Sequence, residues 1–568
     1  MSGECTVSGT NDAALFSLTV HRGEGAALVA MDWKNGRPPA DFVGFAIEYM
    51  EPGGDRFYPV KNRLTFPGAD RSKPDQLSSR LSPIQKFRWV HFPRNAEIDG
   101  EFTYRVVPVF MNEKDELSYG ESQKVGIELR RETYPGQLNV TFTRGFVSSQ
   151  AFVDRYKEGG GVEKLFPQKG DEPVDFKPSH PKAEEALGWM GFEARSAVIE
   201  LLEQAIADPK AKVRVACYDL DVPDIVERLE KLGARLRIII DDSDKHGRPD
   251  SGESLSAARL EAAGAEVKRQ HMMGLQHNKM VAVDAPTVKK AVGGSTNFSW
   301  RGLYVQNNNA VIVCGEKAIA PFLAAFDNFW NHGDSSFGGT PSAEWCDLGL
   351  EGIDAKVSFS PHSEGNAKLQ EIAEDIETAG SSLFYSLAFL GQTAGAIPDA
   401  LEKVTNKDGI FVYGISDKKA GIQILKPDGN VAPVKASSLT KNVPEPFKSE
   451  PTGLAGGVGT RMHHKFVVID FNTPDARVWL GSYNFSKPAD RSNGEKLLLI
   501  RDPRVATSYM VEALRIFDHY HFRVIQEDAE KASKSLGLAR PPRGPGETAW
   551  WQSSYDDPRK ARDRELFS

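Results

Sequence analysis

The chain has little of what most often betrays a specialised function. Its cysteines, Cys5, Cys217, Cys314 and Cys346, are far apart and form no Cys-x-x-Cys pair, which speaks against a disulfide framework, a zinc knuckle or a dithiol redox centre and fits reduced thiols in a cytosolic compartment. No run of 18 uninterrupted apolar residues is present, and the start, MSGECTVSGT, lacks a basic stretch ahead of an apolar one. The expectation is a soluble, cytoplasmic protein without a transmembrane segment. An excess of positive charge is missing too: the net charge is −8 and the pI about 5.9, which excludes a broad basic surface for nucleic acid but not a local basic cleft.

What is present is ordinary globular chemistry, with 40% hydrophobic and 26% charged residues over 568 positions, too long for one core. Residues 1–131 read as short strands (ALFSLTV, GAALVAMDW, FVGFAIEYM, KFRWVHF, FTYRVVPVF, KVGIELR) broken by turn clusters such as Glu51-Pro-Gly-Gly, the texture of an antiparallel sandwich. From 136 onward strands alternate with helical patterns, as in α/β units. A first half at 136–340 and a second at 341–530 repeat this order, and Ser243-Asp-Lys245 and Ser416-Asp-Lys418 form a short echo between them. Residues 531–568 form a Lys/Arg/Pro-rich tail of which Trp550 or Trp551 is expected to dock on the body.

One pattern occurs twice. His277-Asn-Lys279 is followed by Asp284, and His463-His-Lys465 by Asp470, every position separated by 186. Downstream, Gly294-Ser295-Thr-Asn297-Phe-Ser299 and Gly481-Ser482-Tyr-Asn484-Phe-Ser486 repeat at 187. In a strand, residues two apart share a face, so each copy sets an imidazole beside an ammonium, and two such sets facing one another hold what phosphodiester cleavage needs. Lys279, Lys465, Ser295, Asn297, Ser482 and Asn484 supply donors for the phosphate oxygens without a metal. The histidines supply nucleophile and acid. His464 points away from His463 and reads as structural.

The motifs resemble those of the phospholipase D superfamily, over roughly residues 136–530, and the first segment is similar to a fibronectin type III domain. The superfamily resemblance implies an α/β fold of two duplicated domains around one pseudo-twofold site, no cofactor, and a two-step reaction through a phosphohistidine. It also implies that an acidic or amide group after one Gly-Ser-x-Asn motif orients the histidine of the other half. Glu495 fills that role for His277, and matching SNGEKLLLI to VQNNNAVIV assigns Asn309 to His463. A carboxylate supports an imidazolium better than an amide does, so His277 is expected to be the nucleophile and His463 the acid. Asp284 and Asp470 are expected to orient the site.

The substrate is read as a phosphodiester, first a phospholipid headgroup. The rival is a nuclease gripping a strand with Trp300, Arg301 and Tyr304, and a third reading is a non-catalytic phosphate-binding or recruitment protein. The sandwich is expected to pack or dock, with a protein partner as one option. The insert at 419–461, ending in Gly456-Gly-Val-Gly-Thr-Arg, is expected to form a lid.

Overall fold

A computed structural model describes residues 5–70, 73–129, 132–145, 152, 155–167, 174–390, 393–418, 421–425, 431–435, 462–533 and 536–568. The lid expected at 419–461 falls outside the described residues apart from two short strands, Gly421–Leu425 and Val431–Lys435, that extend a sheet edge.

The N-terminal segment forms two antiparallel sheets. One orders the strands Thr6–Ser8, Phe16–Gly23, Ala26–Trp33 and Arg88–His91. The other centres on the pair Phe42–Met50 and Glu101–Met111. Alternation along these strands turns Phe16, Leu18, Val29, Met31, Phe45, Ile47, Tyr104 and Val106 into one core between the sheets.

The remainder is a duplicated α/β unit. The first half builds a sheet with Leu138–Phe142 at one edge, then Asn309–Cys314, Lys289–Gly294, the motif strand Lys279–Asp284, Lys212–Cys217, Leu236–Ile240 and Glu266–Arg269. In the second half, Asp354–Ser360, Glu495–Arg501, Arg477–Gly481, the motif strand Lys465–Ile469, Ser382–Leu387 and Phe411–Lys418 follow the same spatial order. Register makes the correspondence exact, for Cys217 lies opposite Lys279 and Leu387 opposite Lys465. The shorter echo does not correspond. Ser243-Asp-Lys245 enters a tight turn past the strand end, whereas Ser416-Asp-Lys418 is still within its strand, so the match reflects no shared structure.

The long helix Pro503–Lys531 crosses behind the second sheet. The tail then returns to the body rather than standing apart as a domain. Trp550 stacks on Phe87 at 5.2 Å and donates from Nε1 to the Phe42 carbonyl at 3.1 Å, and Trp551 joins the sandwich core. The final helix, Pro558–Leu566, places Phe567 among Phe384, Phe411 and Phe471 of the second half. There the Phe567 carbonyl meets Nε2 of His21 from the sandwich at 2.7 Å, and Arg88 binds Asp518 and Asp563. The sandwich is thus tied to the rest of its own chain.

Candidate active site

Both motif histidines sit just ahead of a central strand, at the end where the two sheets meet. Alternation sends His277 and Lys279, and likewise His463 and Lys465, to the same side. The imidazoles converge, with ring centroids 6.2 Å apart at 73°. His277 and His463 are 4% and 5% exposed, and the two lysines almost wholly buried. Each ammonium folds back onto the carbonyl of its own histidine, at 2.5 Å for Lys279 and 2.7 Å for Lys465.

The Gly-Ser-x-Asn-Phe-Ser repeats turn the chain under the site, and their residues divide the labour. At Gly294 and Gly481 φ is +122° and +147°, and a Cβ there would sit 2.4 Å from the Asn309 carbonyl oxygen or 2.2 Å from that of Lys496, so only glycine fits. Phe298 and Phe485 are core residues. Ser299 and Ser486 cap the short helices that follow, Trp300–Tyr304 and Lys487–Arg491. Among the described residues Asn297 and Asn484 each keep an amide oxygen without a hydrogen-bond partner, so none of these locks either amide through that atom.

Each histidine is oriented from the opposite half. Nδ1 of His277 lies 2.8 and 2.9 Å from the two Glu495 oxygens, and Glu495 in turn hydrogen-bonds Ser482. Nδ1 of His463 lies 2.9 Å from Oδ1 of Asn308, which also accepts from Ser295 Oγ at 3.0 Å. The amide that reaches His463 is therefore Asn308 and not Asn309. Asn309 instead accepts the Ser295 N–H at 3.2 Å. The strings SNGEKLLLI and VQNNNAVIV begin at 492 and 305, an offset of 187 like that of the Gly-Ser-x-Asn repeats, and at that offset Glu495 matches Asn308; Asn309 is one residue too far along.

Tautomers follow from these bonds. Nδ2 of Asn308 donates to the Gly302 carbonyl at 2.8 Å, which fixes Oδ1 toward the ring, so Nδ1 of His463 must be the donor. Ionised Glu495 can only accept, so with it Nδ1 of His277 also donates. Both Nε2 atoms are left bare. Burial, reinforced by Lys279 and Lys465, holds the pKa of each imidazole well below the ordinary histidine value. Burial also brings Lys279 down to about 8 and pushes Glu495 up to about 7. Without an anion between them, both rings are neutral at pH 7.

The remaining expected residues lie elsewhere. Asp284 ends its strand roughly 16 Å of chain beyond Lys279 and pairs with Lys289 at 2.6 Å. Asp470 accepts the backbone N–H groups of Gly380, Ser381 and Ser382, tying the entry of the adjacent strand. Neither reaches the imidazoles, so both are structural. His464 turns away and meets Glu512 of the long helix at 3.0 Å. Trp300 packs on Phe166 and Phe176, and Tyr304 accepts a hydrogen bond from Arg195. They are 4% and 1% exposed and offer no stacking surface.

Sequence reasoning missed the flank of His277. Tyr218 touches His277 and His246, at centroid distances of 4.9 and 4.4 Å. His246 is caged by Asp241 at 2.8 Å, Asp219 at 3.4 Å and Glu253 at 3.8 Å. Burial opposes charge on this ring, but the Asp241 hydrogen bond and the neighbouring carboxylates outweigh it and lift the pKa to about 9. Asp219, His246 and Glu253 are the one group of metal-type donors converging among the described residues, and the charged His246 already satisfies it as an ion-pair cage. Asp241 also accepts the Gln276 N–H at 2.7 Å, fixing the backbone one residue before His277. No motif spacing marks these residues, because Tyr218 and Asp219 follow one strand, Asp241 and His246 follow the next, and Glu253 comes from the helix after that.

A family model described as "Cardiolipin synthase, PLD-like domain" matches residues 202–330 and 372–517, one block over each motif. The chain belongs to the phospholipase D superfamily. Its similarity to single members is local. It is 28% identical over 111 residues to a mitochondrial cardiolipin hydrolase of Chlamydomonas reinhardtii, covering 20% of this chain and 46% of that protein. It is 27% identical over 121 residues to a phospholipase D of Rickettsia typhi, covering 20% and 57%. The chain thus spans about half the length of these curated relatives. Among solved structures, the superfamily member Nuc from Salmonella typhimurium is 24% identical, covering 24% of this chain and 87% of that one, with a TM-score of 0.21.

Proposed function

We propose that the protein is a metal-independent phosphodiesterase that works through a phosphohistidine. The observation that carries this reading is the pair of imidazoles 6.2 Å apart, each with Nδ1 held from the opposite half and Nε2 bare. A phosphodiester seated between them meets Lys279 and Lys465 as counter-charges. Nε2 of His277 attacks phosphorus with its lone pair, the bond to the leaving oxygen breaks, and His463 passes a proton to that oxygen. Burial and, after it, Lys465 and Lys279 keep His463 neutral; the substrate's negative charge offsets them, so the ring can carry that proton when the diester is bound. In the second step His463 takes a proton from water, the water oxygen attacks phosphorus, and the phosphorus–nitrogen bond breaks. Glu495 supports the assignment of His277 as nucleophile, since a carboxylate steadies the cationic adduct better than the Asn308 amide does.

For the substrate we favour a phospholipid headgroup bond. The cardiolipin hydrolase and phospholipase D among the relatives support it, and burial of Trp300 and Tyr304 takes away the stacking platform that a single strand would use. The deciding experiment incubates the protein in EDTA with phosphatidylcholine vesicles or with single- and double-stranded DNA, His277→Ala serving as control. Choline release by the wild type alone supports the lipid reading. DNA fragments instead would replace it with the nuclease reading, and no product from either would favour a non-catalytic phosphate-binding protein.

A further inference from the structure

We propose that Lys496 is a positioning residue of this site, the second point of a clamp that exists only on the His277 side; this rests on the phosphohistidine reading above. Glu495 and Lys496 are consecutive on the strand Glu495–Arg501 of the second half. Glu495 holds the His277 ring, and Nζ of Lys496 donates to the Lys279 carbonyl at 2.9 Å. Lys279 in turn donates to the His277 carbonyl. The contacts close a circuit in which two adjacent residues of one half grip two alternate residues of the other. The first motif segment is thereby fixed in both position and ring orientation.

Three observations mark this as a device rather than a stray buried lysine. Lys496 is 0% exposed, and among the described residues no ion pair reaches it. Burying an ammonium without a carboxylate at contact distance is costly. The neighbouring strand makes room for its stem, because a Cβ on Gly293 would stand 2.6 Å from the Lys496 Cε; the residue 187 positions on is Leu480, with a full side chain. Finally, the pseudo-twofold counterpart of Lys496 is Asn309, as shown by Ser482 and Ser295 donating to their respective carbonyls. Asn309 stays within its own half, and among the described residues its Nδ2 finds no partner.

The seam is therefore asymmetric in a paired way. One half carries Glu-Lys where the other carries Asn-Asn, so the carboxylate beside His277 arrives together with a cation one residue away. Burial, with Lys279 beside it, holds the Lys496 pKa well below the ordinary lysine value, and the positive charge of Lys496 in turn favours ionised Glu495; by the same mutual repulsion it disfavours charge on Lys279. Removing it makes the Glu495–His277 pair and Lys279 hold protons more tightly. Both limbs of the pH profile then move to higher pH.

The test compares wild type, Lys496→Met and Lys496→Arg, alone and in a Glu495→Gln background. It measures kcat, KM and their pH dependence on the phosphodiester the wild type turns over, together with NMR titration of the His277 ring. Expected for Lys496→Met are a kcat at least tenfold lower, KM within twofold, both limbs shifted upward by half a unit or more, and an upward shift of the His277 titration. Lys496→Arg restores part of kcat. In the Glu495→Gln background, Lys496→Met moves the acid limb no further. Lys496→Met that folds and keeps the wild-type profile and His277 titration overturns the inference. If Lys496→Met fails to fold, Lys496→Arg that lowers kcat and moves the profile with Glu495 present but changes nothing further in the Glu495→Gln background supports the clamp, and an Arg effect independent of Glu495 overturns it. A wild type without turnover indicts the reaction assignment instead, and the His277 titration still decides the role of Lys496.

Discussion

Replacing Glu495 by Gln should make the protein more stable and less active, and the size of each effect follows from burial. The carboxyl is fully buried, and burial moves its pKa from the ordinary 4.5 to about 7. Below the unfolded value both folded and unfolded chains keep the proton and nothing is lost. Between about 4.5 and 7 the folded chain holds a proton that the unfolded chain has released, so stability falls as pH rises. Above 7 the full penalty of about 3 kcal/mol applies. Gln at this position is never ionised, so the advantage of Glu495→Gln over wild type should be small at pH 5 and approach that figure at pH 8. Activity moves the other way. A charge-assisted bond to the ring becomes a neutral one, and an amide can also offer its N–H to Nδ1 and select the tautomer whose Nε2 lacks a lone pair. Together these cost about 2–4 kcal/mol in the transition state, roughly 30- to 1,000-fold in kcat. Thermal melts at pH 5 and 8, read beside kcat, check both halves. Wild-type kcat in the variant, or a melting difference that shrinks as pH rises, would refute the reasoning.

Other residues yield separate expectations. Asn308→Asp should place a carboxylate on each histidine and let phosphate be trapped on His463 as well as on His277, as peptide mapping of quenched protein would reveal. Asp470→Ala should cost about 1–3 kcal/mol of stability through its orphaned backbone donors, with kcat of the folded protein unchanged. Asp284→Ala, which breaks a half-exposed pair with Lys289, should change melting by under about 1 kcal/mol and leave turnover alone.

Much of this molecule can be read from the chain because its information is periodic. Alternating apolar residues mark the sandwich strands, and the motifs recurring at 186 and 187 mark the duplicated α/β unit and the convergence of His277 with His463. Asn308 was legible too, because the spacing of 187 leads from Glu495 to it; the reading of Asn309 misplaced the match by one residue within a run of three asparagines. Asp284 and Asp470 share the motif spacing with the histidines, yet spacing cannot tell a residue at the cleft from one at the far end of the same strand. Tyr218, Asp241 and His246 were illegible for the opposite reason, being assembled by tertiary contacts alone. Lys496 was visible next to Glu495, but only the 2.9 Å bond across the seam distinguishes it from an ordinary strand lysine.

The central claim is that His277 bears the phosphoryl group between two steps. Acid-free quenching of the wild-type protein during turnover of a phosphorus-labelled substrate in EDTA, followed by peptide mapping, addresses it directly. The account predicts label on the peptide containing His277, lost in His277→Ala. Label elsewhere, or turnover without any labelled histidine in every variant, would contradict it.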